Sequence, residues 1–279
     1  MSERLAFSKL QGAGNDFVLI DARGSADLDW PDWATILCPR RLGVGADGLL
    51  VILESAHAPA RMRMFNPDGT EDMCGNGLRC VARYLHDRGE IAESGATVEA
   101  LSGLRKVEAV QAGSVEFRVD MGPPSLDPSS LPANVDVNPA VAIPLEAAGE
   151  TVAVTLVSMG TPHAVILNHT PLTDDRWREV SRAIEAHPIF PERTTATWVS
   201  VRSRGRIRAR FFERAVGETL ACGTGACAAV VAASLAGLTD RNVLVAMSGG
   251  RVRVEWLPDG NVIVTGPAER VFDGVWSAP

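Results

Sequence analysis

A chain of 279 residues can bury one large core or two smaller ones, and 46% hydrophobic with 22% charged residues is the profile of a globular protein, not a disordered or fibrous one. The formal net charge of -7 argues against non-specific attraction to nucleic acid or anionic lipid, both of which need a cationic surface. Five cysteines in a chain that starts Met1-Ser2-Glu3-Arg4-Leu5, with no hydrophobic signal core, fit free thiols in the cytoplasm, and no apolar run reaches the roughly 17 residues that cross a bilayer.

In chain order, Gly14 to Ile20 reads as a strand entered through glycine. Gly43-Val44-Gly45-Ala46-Asp47-Gly48 fits G-x-G-x-x-G, but a strand-like run, Leu49 to Leu53, follows where a nucleotide loop needs a helix. A strand over Arg61 to Phe65 leads into Gly69-Thr70-Glu71-Asp72-Met73-Cys74-Gly75-Asn76-Gly77. Beyond it Leu78, Val81, Ala82 and Leu85 recur at helical spacing, and Gly89 suits the helix end. Val107 to Val115 is a hairpin around Gly113. Six prolines between Gly122 and Glu150 mark a connector.

The second half repeats these landmarks. Gly160 to Ile166 is again a glycine-led strand, and Ile207 to Phe212 is the strand before Gly217-Glu218-Thr219-Leu220-Ala221-Cys222-Gly223-Thr224-Gly225. Arg204, Arg206, Arg208 and Arg210 alternate there, which predicts one solvated face of a strand. Ala226 to Leu235 is apolar nearly all round, a helix buried by protein, and Val254 to Val262 is a second hairpin. Cys74 follows Gly14 by 60 residues and Cys222 follows Gly160 by 62; the hairpins begin 33 and 32 residues after their cysteines. This predicts two homologous lobes of mixed α and β structure: 1–121, with a tail 267–279 packing back on it, and 122–266.

The repeat has a chemical reading. A cysteine at the first turn of a helix meets unpaired N–H groups and the positive end of the dipole, which favours thiolate over thiol. Small residues beside it make the helix start a receptor for a carboxylate. Two such sites facing one α-carbon would let one thiolate remove the α-proton while the opposite thiol returns a proton to the other face, with the carbanion's charge held at the helix ends. On this reading Cys74 and Cys222 are catalytic, while Cys38, Cys80 and Cys227 lack the loops and are core residues.

The residues Lys9 to Asp16, Phe65-Asn66-Pro67-Asp68-Gly69-Thr70, Cys74-Gly75-Asn76-Gly77-Leu78-Arg79, Pro162-His163, Glu213-Arg214 and Cys222-Gly223-Thr224-Gly225, in that order, resemble the diaminopimelate epimerase family along the whole chain. The resemblance implies an α+β fold of two pseudo-symmetric lobes, each a barrel-like, mostly antiparallel sheet around a central helix. It implies an isomerase, free of pyridoxal phosphate or other cofactor and of metal, that interconverts LL- and meso-diaminopimelate in lysine and peptidoglycan precursor synthesis, acting as a homodimer. Carried over by position, Asn15, Asn66, Glu213 and Arg214 bind substrate, Gly75, Asn76, Gly223 and Thr224 hold the reacting carboxylate, and His163 with Glu213 tunes the thiols.

Two substrate positions depart from the family: Thr161 and Thr195 stand where asparagine is usual, and a hydroxyl cannot supply two donors, which touches recognition of the distal carboxylate. Gly48 stands where some members carry glutamine, leaving any contact there to backbone or water. An epimerase or racemase of another amino acid (lanthionine, histidine or hydroxyproline) therefore stays open. Asn66 with Asp68-Gly69 also reads as a plain turn, Glu213-Arg214 as a surface ion pair, and His163 as a core imidazole. A zinc-binding or structural module is the non-enzyme alternative, although the cysteines form no C-x-x-C pair.

Overall fold

The computed structural model describes residues 4–25, 28–92, 94–112, 114–168 and 170–277. Met1, Ser2 and Glu3 of the N-terminus, Gly113 of the first hairpin and the last two residues of the tail lie outside that set. The chain divides into two units, residues 1–120 with 265–279, and residues 121–264.

The first unit begins with β1 (Arg4–Gly12), β2 (Asn15–Asp21), α1 (Trp30–Leu37), β3 (Gly48–Leu53) and β4 (Ala60–Phe65). It continues with α2 (Gly75–Asp87), β5 (Ala96–Ala100), β6 (Gly103–Ala112) and β7 (Ser114–Asp120). In the second lie β8 (Ile143–Ala147), β9 (Glu150–Ser158), β10 (Pro162–Leu167), α3 (Asp174–Glu185), β11 (Thr195–Ser203), β12 (Arg206–Glu213) and β13 (Gly217–Thr219). It ends with α4 (Gly223–Leu235), β14 (Asn242–Ala246), β15 (Arg251–Trp256) and β16 (Val262–Pro267), along which the chain passes back to the first unit and its last strand, β17 (Glu269–Ser277).

The two units share one pairing scheme. In the first, β1 is antiparallel to β2, β2 parallel to β3, β3 antiparallel to β4, β4 parallel to β5 and β5 antiparallel to β6. In the second, β9 to β10, β10 to β11, β11 to β12, β12 to β14 and β14 to β15 follow the same order of senses. The turns into β2 and β10 also match: Gly14 and Gly160 both hold positive φ, 86° and 89°, which a side chain rarely tolerates. β17 adds to the first unit alone, antiparallel to β1 from Arg4 opposite Ser277 to Gln11 opposite Glu269.

Each unit wraps its sheet around one helix, an α+β architecture. α2 packs on β1 to β4, β6, β7 and β17, and α4 on β9 to β12, β14 and β15. Leu78, Val81, Ala82 and Leu85 of α2 are fully buried, each large one contributing about 1.5–3 kcal/mol of burial, while His86 and Arg88 at its end meet solvent. α4 is buried on all sides from Gly223 to Ala233, which its alanines and valines permit because no polar face has to reach water.

Two expectations change. The proline-rich segment after Gly122 is more than a connector: Leu131, Ala140, Leu145 and Ala147 enter the core formed with Trp177, Trp198 and Phe212, while Pro144 of β8 is exposed. The arginines share a solvated face only in part, Arg206 and Arg208 being exposed at alternate positions of β12. Arg204 sits in the turn before β12, and Arg210 stacks on Trp177, 3.8 Å from its ring centre, while bonding Asp174 and Glu218.

Candidate active site

Both cysteines are the N-cap residues of the central helices. Cys74 has φ -138° and ψ 111°, Cys222 φ -132° and ψ 117°, and each sulfur accepts the N–H three residues on, from Gly77 at 3.3 Å and Gly225 at 3.4 Å. A sulfur thus does the work usually done by a serine or aspartate oxygen. The third position is tight in both: a Cβ on Gly77 would lie 2.7 Å from Leu50 Cδ2, and one on Gly225 would lie 2.7 Å from the Phe211 ring. The N–H groups of Gly75 and Asn76, and of Gly223 and Thr224, run along the same helix axes toward the N-terminal ends, where an anion is favoured.

Around Cys74 the structure gathers Asn15 and Asn76. Asn76 Nδ2 donates to Asn15 Oδ1 at 2.9 Å, and Asn15 Nδ2 donates to Asp47 Oδ2 at 2.8 Å. Asn66 forms the turn foreseen as its plain alternative: its N–H bonds Thr70 O, its Nδ2 donates to Thr70 Oγ1 at 3.1 Å, and Gly69 closes the turn at φ 85°. Gly48 offers no room, because a Cβ there would meet Met64 Cε at 2.8 Å and Phe65 O at 3.0 Å, so only its backbone is available.

Around Cys222 the network is denser. Thr224 Oγ1 lies 3.4 Å from the sulfur and 3.2 Å from Thr161 Oγ1, which lies 3.1 Å from His163 Nε2; His163 Nδ1 is 3.2 Å from Thr197 Oγ1. Thr195, opposite His163 in the parallel pair β10–β11, accepts the Arg214 N–H at 3.2 Å. Glu213 accepts from Thr219 Oγ1 at 2.5 Å and faces the Cys222 thiol as charge and acceptor. Thr197 and Thr219 were not foreseen: Thr197 lies between Ala196 and Trp198 in β11 and Thr219 ends the short β13, and only the fold reveals that their hydroxyls meet His163 and Glu213.

Burial, then the Glu213 carboxylate, pushes the Cys222 thiol well above its usual pKa, outweighing Thr224 and the Gly225 N–H. At this helix start a dry site and a neighbouring anion therefore work against the expected thiolate preference. His163, fully buried and near the Arg214 charge, is lowered to about 3 and is a neutral imidazole at pH 7. Cys38 and Cys80 are pushed up to about 12 by burial, and Cys227 is fully buried, as core thiols should be. Among the described residues no group of three His, Cys, Asp or Glu side chains could hold a metal ion, and no helix is long and apolar enough to cross a membrane.

The family profile described as diaminopimelate epimerase matches residues 7–126 and 155–271. The chain belongs to the diaminopimelate epimerase family. It is 47% identical to the diaminopimelate epimerase of Desulforudis audaxviator over 98% of this chain and 99% of that one, and 43% identical to that of Desulfitobacterium hafniense over 96% of each. Among solved structures it resembles a hydroxyproline epimerase from Agrobacterium vitis with trans-4-hydroxy-L-proline bound, at a TM-score of 0.75, 14% identity, and 98% and 92% coverage of the two chains. A PhzF-family protein from Bacillus anthracis gives a TM-score of 0.70 at 17% identity, covering 98% and 99%. At such identities these structures speak for the fold alone, and it is the family relationship that carries chemistry.

Proposed function

We propose that this family member interconverts LL- and meso-2,6-diaminopimelate by inverting one α-carbon between Cys74 and Cys222, one from each unit. The observation that carries the reading is the duplicated cap: a sulfur at the first turn of each central helix, bonded to the N–H three residues on. In one direction the Cys74 thiolate takes the α-proton and its electron pair stays on carbon, delocalised into the carboxylate. The Cys222 thiol then delivers its proton to the opposite face and is left as thiolate; the reverse reaction exchanges the roles.

Glu213 favours the protonated state of Cys222 before the transfer, and Thr224 donates to the sulfur afterwards. The N–H groups of Gly75, Asn76, Gly223 and Thr224 stabilise the charge that develops on the carboxylate. Asn15, Asn66, Thr161, Thr195 and Arg214 bind the rest of the substrate, and neutral His163 orients Thr161. The enzyme works in the cytoplasm as a homodimer; the exposed apolar side chains Val271, Phe272 and Val275 of β17 suit a subunit contact, and sedimentation of Phe272→Glu against the parent tests it.

The deciding assay follows LL-diaminopimelate in deuterium oxide. Two-base inversion puts solvent deuterium at the α-carbon of the product from the first turnover, with little in recovered substrate, and needs no added cofactor or metal. Early deuterium in the substrate at the rate of product formation would point to a single base and reject the reading. A second reading, inversion of another amino acid, is favoured by the threonines: Thr195 already accepts the Arg214 N–H and Thr161 is engaged by His163 and Thr224. A panel with lanthionine, histidine and hydroxyproline, scored by product chirality, separates the two.

A further inference from the structure

Asn15 and Asn76 are held in a row of hydrogen bonds that starts at a cation and ends at an anion. Arg79, one turn into α2 and fully buried, donates from Nη2 to Asn76 Oδ1 at 2.7 Å and from Nε to Pro267 O at 3.3 Å. A guanidinium has donors only, so the oxygen of Asn76 must face it and the Asn76 amide nitrogen must face Asn15. Asn76 Nδ2 accordingly donates to Asn15 Oδ1 at 2.9 Å, which turns Asn15 Nδ2 toward the Asp47 carboxylate at 2.8 Å. An ionised carboxylate only accepts, so the far end of the row enforces the same sense.

Asp47 is itself anchored. Its Oδ2 also accepts the Asp16 N–H at 3.2 Å, and its Oδ1 accepts from Arg40 at 2.6 Å. Arg40 grips Asp16 through both terminal nitrogens, at 2.6 and 3.1 Å, and Lys9 bonds Asp16 and Gly45 O. The G-x-G-x-x-G stretch thus earns its place by presenting Asp47, with Gly45 at φ 82° turning the loop against Arg40. Inverting Asn76 would set its N–H groups against the guanidinium and its oxygen against Asn15 Oδ1, and inverting Asn15 would set its oxygen against the Asp47 carboxylate and its N–H groups against those of Asn76.

We infer that Arg79 and Asp47 are positioning residues that lock the Asn15–Asn76 amide pair in one sense, so that Asn15 offers substrate an N–H and selects a carboxylate over an ammonium group. One Nδ2 hydrogen of Asn15 goes to Asp47, and the other has no acceptor among the described residues. The inference rests on the proposed role of Asn15 in substrate binding.

The test uses the full chain with Asn15→Asp, Asp47→Asn and the double exchange, reading Tm, kcat and KM for LL-diaminopimelate. Asn15→Asp sets two carboxylates against each other and lowers Tm. The double exchange restores the row between 76, 15 and 47, because Asn76 and the new amide at 47 both donate to the carboxylate at 15; the Asp16 N–H loses its acceptor at 47, so Tm rises above that of Asn15→Asp without reaching the parent's. Its KM stays at least tenfold above the parent's, because an acceptor now faces substrate where a donor was, while kcat changes less than KM.

A double variant with the parent's KM would overturn the inference, as would a double variant no more stable than Asn15→Asp. A parent chain inert toward diaminopimelate would instead refute the proposed activity; the stability cycle would still decide the lock, and KM for whichever amino acid is turned over would decide the donor.

Discussion

Cys74 and Cys222 cap matching helices with nearly the same backbone angles, yet their surroundings differ. Cys74 is half-buried at the head of an amphipathic helix, while Cys222 is buried at the head of a wholly apolar one, beside Glu213. Duplication preserved the backbone device, and the side chains around it diverged. An acid and a base need different protonation states at the start of a turnover, and a pair with one thiol held protonated supplies that difference.

The strongest way to break the comparison is to replace each sulfur by oxygen. Cys74→Ser and Cys222→Ser keep an N-cap acceptor, so Tm is expected to stay within a few degrees, whereas epimerisation falls by about 10²–10⁴-fold in both. Activity within tenfold of the parent in either variant would remove that cysteine from the mechanism. The next effect sharpens the asymmetry. Glu213→Gln removes a charge and an acceptor that raise the Cys222 thiol, so its alkylation by iodoacetamide should extend to lower pH while that of Cys74 keeps its profile. Burial, the larger cause, remains, so the shift is partial.

Smaller effects are expected in stability. Gly225→Ala drives a methyl into the buried Phe211 ring and should cost about 1–3 kcal/mol in denaturant unfolding. Gly77→Ala meets a leucine methyl that can rotate away, so its cost should be the lesser of the two. The smallest is an acid effect confined to the first unit. Burial tends to raise the Asp16 carboxyl, but hydrogen bonds and charge from Arg40 and Lys9 outweigh it and hold the group down at about 2, against 3.8 unfolded. Its stabilisation is therefore complete above pH 3.8 and lost as pH falls toward 2. Acid unfolding of Asp16→Asn should lack that component.

Much of the site was legible because the repeat is local in sequence: Gly14, Cys74 and the hairpin recur at fixed spacing, and helical periodicity after Cys74 marked α2. What stayed hidden depends on contacts far apart in the chain. The Asn15–Asn76 bond spans 61 residues and the His163–Thr197 contact 34, and no window of sequence joins them. The burial and the Glu213 carboxylate that raise the Cys222 thiol, against the thiolate expectation, were hidden for the same reason: helix position is readable from neighbours, but dryness is set by the strands that enclose α4. Thr161 and Thr195 were visible as departures; that their hydroxyls are engaged within the second unit was not.

The pairing of β1 with β17 joins the chain's first described strand to its last, Ser8 bonding Asp273 across 265 positions. A ribosome releases β1 long before its partner exists, so the first unit must wait, with one strand edge open, until synthesis has run through everything between. Holding that edge unpaired during translation is the penalty of a tail that crosses back, and a chain stalled before residue 269 would be left with an adhesive rim for chaperones to shield.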